Sequence, residues 1–378
     1  MRFSSARVPF FGGPLVHIVH GGRLEEFARA HGHAPEKILD FSTNTNHLLD
    51  RAPVRELLRR SLEAAFHYPD PEYSRLKEAL ALRQGVAPDC ILPANGSTEL
   101  LYLIARSRGM RNALILAPAF SEYEAACRAE SYEMAFVTAL EKDDFVFRRP
   151  EPIETIRLAR PAAVFVGNPN NPTGRLADGD WLERLASACE SQSSLLVIDE
   201  AFMDFVPDGD ERSFVQRAAR SPHIVVLRSL TKFFCIPGLR VGYAVGHPRL
   251  IETLAKFQPT WSVNGPAQET ALRLLREPAP TTNGALPALR RKFQEALKAV
   301  EGIKTYPSDA NFFLCRLDEA VFERRRIEEF LGRKGVLVRF CADFRGLEKG
   351  FYVRLAVRCA ADNASLVETF QEALCHAR

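Results

Sequence analysis

The chain has 378 residues, of which 46% are hydrophobic, and its 50 basic and 47 acidic side chains give a formal net charge of +3. A charge so close to balance argues against nucleic acid or another polyanion as a partner. No apolar run is long enough to span a membrane, and the length favours a large domain with a smaller one over a single domain.

The eight cysteines include no Cys-x-x-Cys pair and no metal-like grouping with histidine. This usage predicts reduced thiols in a cytoplasmic protein with no metal site. Residues 1–19 are interrupted by Gly12-Gly13-Pro14 and lack the pattern of a signal peptide.

The first informative stretch in chain order is His20-Gly21-Gly22, which leads into a predicted helix from Arg23 to about His31. Two glycines let backbone N–H groups approach an anion closely, and the N-terminus of the following helix adds a favourable dipole. From the residues alone, a flexible arm is an equally good interpretation.

A polar segment from Asp40 to Asn46 follows a short predicted strand, Ile38 to Phe41, and is expected to form a loop. Tyr68-Pro-Asp70 has the chemistry of a turn, and the residues from Tyr73 to Arg83 predict an amphipathic helix. Without further information, Tyr68 is best interpreted as an ordinary core or surface tyrosine.

Gly96, Ser97 and Thr98 stand between a predicted strand, 90–92, and a predicted helix, 100–106. A glycine and two hydroxyl residues at a helix start can bind a phosphate through free backbone N–H groups and short donors. The same residues can simply cap the helix, which is their commoner use.

Short apolar runs then alternate with segments of helical length, a pattern typical of a mostly parallel sheet covered by helices. Ligands bind at the carboxyl ends of the strands in such sheets. The predicted buried strands are 113–117, 163–167, 195–198, 224–227 and 241–245.

Three polar motifs follow these strands: Asn168 to Gly174, Asp199-Glu-Ala-Phe202, and a loop carrying Ser229, Lys232 and Arg240. A carboxylate at the end of an apolar strand is costly unless it is paired. A lysine among apolar neighbours and beside a second cation is shifted towards its neutral, nucleophilic form, which suits a Schiff-base lysine. The alternative is a surface lysine in a turn, because short motifs recur by chance.

The C-terminal part, entered through a Pro- and Thr-rich segment at 277–284, predicts helix 288–300 and strands 311–315, 336–340 and 351–357. Arg339 and Arg354 lie on two of these strands among alternating apolar residues. A guanidinium that faces the protein interior needs an anion as its partner. Arginine can bind a carboxylate or a phosphate through two parallel hydrogen bonds. Surface salt bridges are the alternative.

The motif Ser229-Leu-Thr-Lys232, followed eight residues later by Arg240, resembles the lysine loop of fold-type I pyridoxal 5′-phosphate (PLP) enzymes. The Asn168–Gly174 and Asp199–Phe202 motifs resemble the same family. The similarity runs from about His20 to the C-terminus and is greatest to the histidinol-phosphate aminotransferase branch, which includes the threonine-phosphate decarboxylases of cobalamin biosynthesis.

This resemblance implies an α/β fold with a mostly parallel seven-stranded sheet in a large domain and a small α+β domain. Residues 1–50 would form an N-terminal arm and part of the small domain, 51–275 the large PLP-binding domain, and 276–378 the small domain. The family assembles as homodimers.

The resemblance also implies roles for the cofactor residues. Lys232 would form the Schiff base with PLP, Asp199 would pair with the ring nitrogen, and Asn171 would donate to the phenolic oxygen. Phe120 would stack on the ring with Phe202 nearby. The cofactor phosphate would be bound by Gly96, Ser97, Thr98, Ser229 and Arg240, with Tyr68 reaching it from the neighbouring subunit.

The implied substrate is a small phosphorylated amino acid, and its implied contacts are His20, Gly21, Asn44, Asn171, Arg339 and Arg354. Arg339 would bind phosphate and Arg354 either carboxylate or phosphate. The family usually has Pro-Leu-Gly after the Asn44 segment, whereas this chain has His47-Leu48-Leu49, so the shape of that rim stays open.

Three functions remain to be weighed: decarboxylation of phosphothreonine, with phosphoserine as a second substrate; transamination of histidinol phosphate; and a binding module without catalysis. Lys232, Asp199 and Arg240 are all present, which argues against the third. Phe202 stands where related aminotransferases commonly have a tyrosine. Together with anion sites at His20-Gly21 and at Arg339, this favours decarboxylation.

Overall fold

The computed structural model of the chain describes residues 20–107, 112–148, 150–276 and 284–377. The N-terminal segment 1–19 and almost all of the predicted linking segment lie outside the described residues. The domain limits proposed at 50/51 and 275/276 therefore stay predictions.

The strands are β1 Leu39–Asp40, β2 Ile91–Ala94, β3 Asn112–Ala117, β4 Glu133–Thr138, β5 Ala163–Gly167, β6 Leu195–Asp199, β7 Ile224–Ser229, β8 Gly242–Gly246, β9 Ile303–Thr305, β10 Phe312–Leu317, β11 Val336–Leu337, β12 Arg339–Phe340 and β13 Phe351–Ala356.

The α-helices are α1 Leu24–His31, α2 Arg51–Ser61, α3 Ser74–Gln84, α4 Ser97–Ser107, α5 Ser121–Ala129, α6 Glu151–Ala159, α7 Gly179–Ser191, α8 Gly209–Arg212, α9 Val215–Ala218, α10 Leu230–Phe233, α11 Pro248–Ala255, α12 Gly265–Arg276, α13 Leu286–Lys298, α14 Arg324–Arg333 and α15 Ala360–Ala377. Short 3₁₀ helices cover Pro35–Lys37, Leu62–Phe66, Pro88–Cys90, Glu141–Asp143, Met203–Phe205 and Pro237–Leu239.

A seven-stranded sheet in the order β2-β8-β7-β6-β5-β3-β4 forms the centre of the fold. Its strands run parallel except β8, which is antiparallel to both of its neighbours. The predicted mostly parallel, seven-stranded sheet is therefore confirmed. Helices cover both faces, which is why the interiors of these strands are largely apolar.

The alternation of side chains along β3 shows how the sheet separates two cores. Leu114 and Leu116 pack into one large apolar cluster, whereas Ala113 and Ile115 pack into a second cluster that contains the apolar face of α4. Because both faces are buried, a one-residue shift in register would exchange the two sets and is strongly disfavoured.

A second, four-stranded antiparallel sheet in the order β12-β13-β10-β9 lies in the C-terminal part of the chain. The N-terminal strand β1 pairs in parallel with β11, so residues near the start of the chain join elements near its end. This pairing brings the polar loop after β1 close to β13.

Two local expectations were wrong. The predicted strand 336–340 is split into β11, which pairs with β1, and β12, which pairs with β13, because the backbone changes partner at Val338. Lys232 lies in the short helix α10 rather than in a loop. The helices predicted at 23–31, 73–83 and 288–300 are confirmed within one or two residues at each end.

Within the described ranges, no helix combines the length and the apolar character needed to cross a membrane.

Candidate active site

The carboxyl ends of three adjacent parallel strands, β5, β6 and β7, bring the central polar motifs together. Gly167 at the end of β5 pairs in register with Asp199 at the end of β6, and Asp199 pairs with Leu227 on β7. Asn168–Gly174, Asp199–Phe202 and Ser229–Lys232 therefore meet at one edge of the sheet. The geometry is the one expected of a ligand site in a parallel sheet.

Asp199 is a buried carboxylate that accepts hydrogen bonds from Tyr123 Oη at 2.8 Å and from the Ala201 backbone N–H at 3.0 Å. Burial raises the pKa of Asp199, while these two hydrogen bonds and the nearby charge of Lys232 oppose the rise. Burial and the neighbouring Asp199 also raise the pKa of Tyr123 well above its usual value, so the phenol keeps its proton and donates.

Lys232 is half-buried on α10 at the same edge. Burial lowers its pKa to about 8, and the positive charges of Arg354 and Arg240 act in the same direction, whereas Asp199 opposes them. A lysine with such a pKa has a substantial neutral fraction near pH 8 and can attack a carbonyl carbon.

A narrow cradle forms where Arg240 lies over Gly96. Gly96 has a positive φ of 74°, and a Cβ added to it would be 2.6 Å from Arg240 Nη2. Ser97 and Thr98 follow at the N-terminus of α4, where backbone N–H groups lack helical partners. Gly242 on β8 closes the other side, since a Cβ there would be 2.7 Å from Ser97 N.

Ser229 at the end of β7 is buried, and its hydroxyl shares a 2.8 Å hydrogen bond with that of Thr231. Thr231 was not singled out from the sequence. The two hydroxyls stand beside Lys232 and add short donors to the same edge of the sheet.

Arg354 connects the small sheet to the large one. From β13 its guanidinium donates to Asn171 Oδ1 and to the Ser42 carbonyl oxygen, both at 2.6 Å. Its Nε is buried and has no hydrogen-bond partner in the part of the chain that the structure describes. Burial lowers the pKa of Arg354 to about 10, with Arg339 acting in the same direction. Arg354 remains charged at neutral pH, whereas the two acceptors in these contacts, Asn171 Oδ1 and the Ser42 carbonyl oxygen, are neutral.

Arg339 stands directly opposite Arg354 in the β12–β13 register, and both are buried. It donates to Asp343 through Nη1 at 2.8 Å and Nη2 at 2.6 Å, and also to the Phe340 carbonyl oxygen. The anion that the sequence predicted for Arg339 is therefore, in this structure, a carboxylate of the chain itself.

His20, at the start of the described chain, contacts Glu122 Oε1 through Nε2 at 2.8 Å. The hydrogen bond from His20, with one from Tyr102, lowers the pKa of Glu122 despite partial burial. Gly21 packs so tightly that a Cβ there would clash with the Ser42 carbonyl oxygen and lie 3.3 Å from Arg354 Nη2. The His20-Gly21 segment thus borders Arg354, although its histidine faces a carboxylate.

Asn44 is buried in the loop after β1, and its side-chain Oδ1 has no partner among the described residues. Its backbone carbonyl accepts from Asn311 Nδ2 at 3.1 Å, and Thr45 O accepts from the same atom at 3.0 Å. Asn311 therefore positions this loop, and it was not recognised from the sequence.

Two phenylalanines complete the apolar walls. Phe120, half-buried before α5, has its ring 5.9 Å from the rings of His20 and of Tyr123. Phe202 is buried edge-to-face against Phe312 at 4.8 Å, and the Arg354 guanidinium lies 5.5 Å from the Phe312 ring. Neither phenylalanine can offer a hydrogen bond from its side chain.

Tyr68 is 81% exposed, and its ring contacts that of Trp261 at 4.4 Å. Exposed Phe66 and Leu62 lie close to it in sequence. The single chain therefore presents Tyr68 on its outer surface, and its predicted role in a neighbouring subunit stays a prediction.

A buried ion pair supports the strand ends beneath these residues. Arg228, fully buried beside Ser229, contacts Glu200 and Asp204, each at 3.1 Å. Although burial opposes it, the negative charges of Asp204 and Glu200 raise the pKa of Arg228 above its usual value. Because Glu200 follows Asp199, the contact between Arg228 and Glu200 connects the end of β7 to the end of β6.

These residues fit PLP by the chemistry of their donors. A buried carboxylate with a raised pKa suits the ring nitrogen, a lysine of lowered pKa suits the aldehyde, and the Gly96–Arg240 cradle suits a phosphate. Among the residues that the structure describes, Asn44 Oδ1 and Arg354 Nε are buried without a hydrogen-bond partner, which is consistent with a polar ligand at this site.

Several residues in the site were missed from the sequence, and spacing could have identified two of them. Tyr123 stands three positions after Phe120, which was singled out from the sequence, and Asp343 stands four positions after Arg339. Glu122 and Asn311 carried no comparable signal, because their partners lie 102 and more than 200 positions away along the chain.

The model of the aminotransferase class I and II family matches residues 36–369. The threonine-phosphate decarboxylase of Salmonella typhimurium is 34% identical over 365 residues, covering 95% of this chain and 98% of that protein. Histidinol-phosphate aminotransferase 2 of Archaeoglobus fulgidus is 31% identical over 343 residues, covering 89% and 94%. The crystal structure of the L-threonine-O-3-phosphate decarboxylase from Porphyromonas gingivalis aligns with a TM-score of 0.79 at 28% identity, covering 89% and 99%.

Proposed function

Because the chain belongs to the aminotransferase class I and II family, whose enzymes depend on PLP, we propose that it decarboxylates L-threonine O-3-phosphate. The product would be (R)-1-aminopropan-2-yl phosphate, used in cobalamin biosynthesis, and O-phosphoserine would be a second substrate. The family match also confirms the resemblance, the fold type and the cofactor predicted from the sequence.

The observation that carries this proposal is the pair of guanidiniums facing each other across β12 and β13. Arg339 and Arg354 are 5% and 6% exposed and are in direct register. Two like charges so placed destabilise each other unless anions lie between or beside them. Asp343 supplies one anion at Arg339, whereas Arg354 donates to the neutral oxygens of Asn171 and Ser42. A substrate with both a carboxylate and a phosphate supplies two such anions.

Bound PLP would supply an electron-withdrawing ring that stabilises negative charge developing at the substrate's Cα. The residues around it have separable tasks. Asp199, supported by Tyr123, would hold a proton on the ring nitrogen, and Lys232 would attach the cofactor and later move protons at Cα. The Gly96–Arg240 cradle, with Ser97, Thr98 and Ser229, would bind the cofactor phosphate.

Which bond to Cα breaks depends on where the chain's cations hold the two anionic groups of the substrate. If Arg339 and the His20-Gly21 segment bind the phosphate, the carboxylate is free to turn towards the position from which carbon dioxide leaves. Phe202, buried against Phe312, supplies no hydroxyl where related aminotransferases have one. Both features support decarboxylation, as does the identity to the Salmonella protein.

Transamination of histidinol phosphate remains the second candidate because of one contact. Arg354 donates to Asn171 at 2.6 Å, and Asn171 is the residue proposed to contact the cofactor's phenolic oxygen. Histidinol phosphate has no carboxylate, but glutamate, which forms from 2-oxoglutarate in that reaction, has one. If Arg354 held the α-carboxylate of glutamate at that place, the Cα–H bond, rather than the carboxylate, would be directed towards Lys232.

We also propose a homodimer in the cytoplasm. Exposed Phe66 and the Tyr68–Trp261 ring pair form an aromatic surface that suits contact with a second copy. All eight cysteines are unpaired, which agrees with a reducing compartment.

A three-substrate assay tests the proposed reaction. The PLP-loaded protein is incubated with phosphothreonine, with phosphoserine, and with histidinol phosphate plus 2-oxoglutarate, and carbon dioxide and glutamate are measured in each. We expect carbon dioxide from the first two and little glutamate from the third. Unphosphorylated threonine is the control and should be a poor substrate.

Stoichiometric glutamate from histidinol phosphate, with no carbon dioxide from either phosphorylated amino acid, would replace the decarboxylase by the aminotransferase. Activity with threonine equal to that with phosphothreonine would instead reject the proposed phosphate site.

A further inference from the structure

The Asp343 carboxylate accepts hydrogen bonds from both Nη1 and Nη2 of Arg339. The proposed function assigns the same guanidinium to the substrate phosphate. The pair is bidentate, at 2.8 and 2.6 Å, and its side chains are 6% and 15% exposed. Substrate phosphate and the Asp343 carboxylate would compete for the same two N–H groups. Like charges brought together in a buried site cost several kcal/mol, so one of the two anions must leave.

Asp343 belongs to a segment that can move without breaking a sheet. It lies in the turns between β12 and β13, where Phe344 N donates to Cys341 O at 3.1 Å and Leu347 N donates to Phe344 O at 3.0 Å. Neither of these hydrogen bonds involves the side chain of Asp343. A rotation of that side chain therefore leaves both of these backbone hydrogen bonds in place.

A cavity of about 310 Å³ lies beside Asp343. Its walls include apolar side chains of β3, β4 and α5, but Arg128 and Arg345 also line it. These two guanidiniums share the Glu124 carboxylate, at 2.5 and 2.8 Å. The cavity thus offers a displaced carboxylate both space and positive charge.

We propose that Asp343 is an internal counter-ion of Arg339, which a dianionic phosphate displaces towards Arg345 and Arg128, and that Asp343 thereby selects phosphate monoesters over singly charged groups. This inference rests on the proposed function, since it concerns the same substrate site.

The selectivity follows from the difference in charge. A phosphate monoester carries a charge of about −1.5 to −2 at pH 7, whereas a sulfate ester or a carboxylate carries one negative charge. When a singly charged ligand group replaces the Asp343 carboxylate beside Arg339, the electrostatic attraction to Arg339 does not increase. Exchanging the carboxylate for a dianion strengthens the attraction to both Arg339 and Arg354, and this gain can offset the displacement.

The test compares two ligands that differ in charge but hardly in shape. They are the hydroxy-acid analogues of phosphoserine and of serine O-sulfate, which lack the amino group and so cannot react. Their binding to the PLP-loaded protein is measured by calorimetry for the wild type, for Asp343→Asn and for Asp362→Asn. The last is a matched control, because Asp362 forms an i,i+4 pair with Arg358 at 2.9 Å.

We expect the wild type and Asp362→Asn to share a strong preference for the phosphate analogue. Asp343→Asn should bind the sulfate analogue much more tightly and reduce the preference by about tenfold or more. An unchanged preference in Asp343→Asn would overturn the inference while leaving the proposed function intact. Failure of the wild type to bind the phosphate analogue would instead reject the proposed function.

Crystal structures of the wild type with and without the phosphate analogue test the same idea without a variant. The Asp343 carboxylate should leave Arg339 and lie in the cavity when the analogue is bound. A phosphate bound to Arg339 with Asp343 still in place would contradict the displacement.

Discussion

Tyr123 donates its phenolic hydrogen to Asp199 at 2.8 Å, between a helix and a strand that are 76 residues apart. Both side chains are buried, so this hydrogen bond is protected from water and stabilises the charged carboxylate. The residue proposed to control the cofactor's ring nitrogen therefore depends on a tyrosine outside the recognised motifs.

Replacing Tyr123 by phenylalanine should weaken cofactor binding by about 1–3 kcal/mol, because a buried carboxylate loses a donor. Asp199 should then protonate at a higher pH, so the loss of PLP on acidification should begin at a higher pH than in the wild type. Titration of the apoprotein with PLP at several pH values measures both effects.

Tyr132→Phe is the matched control for this variant, since Tyr132 is buried and donates to the Ala105 carbonyl oxygen at 2.7 Å. It should lower stability without changing PLP affinity. Equal PLP affinity in Tyr123→Phe and the wild type would show that the hydrogen bond does not support Asp199.

Lys232→Ala should abolish the covalent attachment of PLP. Borohydride reduction followed by peptide mapping should find the cofactor on Lys232 in the wild type and on no lysine in the variant. Lys256→Ala, which removes an exposed lysine paired with Glu252 at 2.9 Å, should behave as the wild type. A reduced adduct on another lysine would disprove the assignment.

Gly96→Ala should weaken PLP binding by roughly 1–3 kcal/mol, because the new Cβ would lie 2.6 Å from Arg240 Nη2 and displace a charged donor. Gly32→Ala separates this effect from backbone strain. Gly32 has nearly the same φ, 71° against 74°, but nothing lies within 4 Å of an added Cβ. If both variants bind PLP equally well, the cradle does not hold the cofactor.

Arg339→Gln should reduce the apparent affinity for phosphothreonine by roughly 2–5 kcal/mol, since a desolvated phosphate would lose a charged partner. Steady-state kinetics should place the loss mainly in KM. Arg358→Gln removes another arginine of the C-terminal part of the chain, which donates to Asp362 and to the Asp40 carbonyl oxygen, and should have a much smaller effect. A larger loss of affinity in Arg358→Gln than in Arg339→Gln would assign the phosphate to Arg358.

The hydrogen bonds to Glu141 predict that the protein loses stability at low pH. Burial alone would raise its pKa, but hydrogen bonds from Tyr306, Lys304, Tyr352 and Arg316 lower that pKa to about 2. Its folded pKa is thus below its unfolded pKa of 4.5, so its contribution to stability is fully present above about pH 4.5 and is lost as the pH falls towards 2.

Glu141→Gln should therefore lower the free energy of unfolding at pH 7 by up to about 3 kcal/mol, and the difference should shrink below pH 4.5. Urea unfolding at pH 7 and pH 3 measures it. Glu319→Gln, which alters a more exposed pair with Arg324, should change stability little at either pH. A constant difference at both pH values would refute the role of the Glu141 charge.

The sequence by itself determined the central sheet and predicted which polar motifs meet at its edge. Short continuous apolar runs between segments of helical length are typical of strands in a sheet covered on both faces, so the strands at 163–167 and 195–199 could be predicted almost to the residue. Because parallel strands present their carboxyl ends at one edge, the motifs around Asn171, Asp199 and Lys232 were expected to meet there.

Only the tertiary structure decided the partners of those residues. Tyr123 donates a hydrogen bond to Asp199, Arg354 donates to the Ser42 carbonyl oxygen, and Arg339 donates to the Asp343 carboxylate. Whether a buried charge is compensated depends on atoms within about 4 Å, and such atoms come from segments whose separation along the chain carries no signal. The counter-ion at Arg339 is local in sequence, but its importance follows from the pairing of β12 with β13, which places a second arginine opposite.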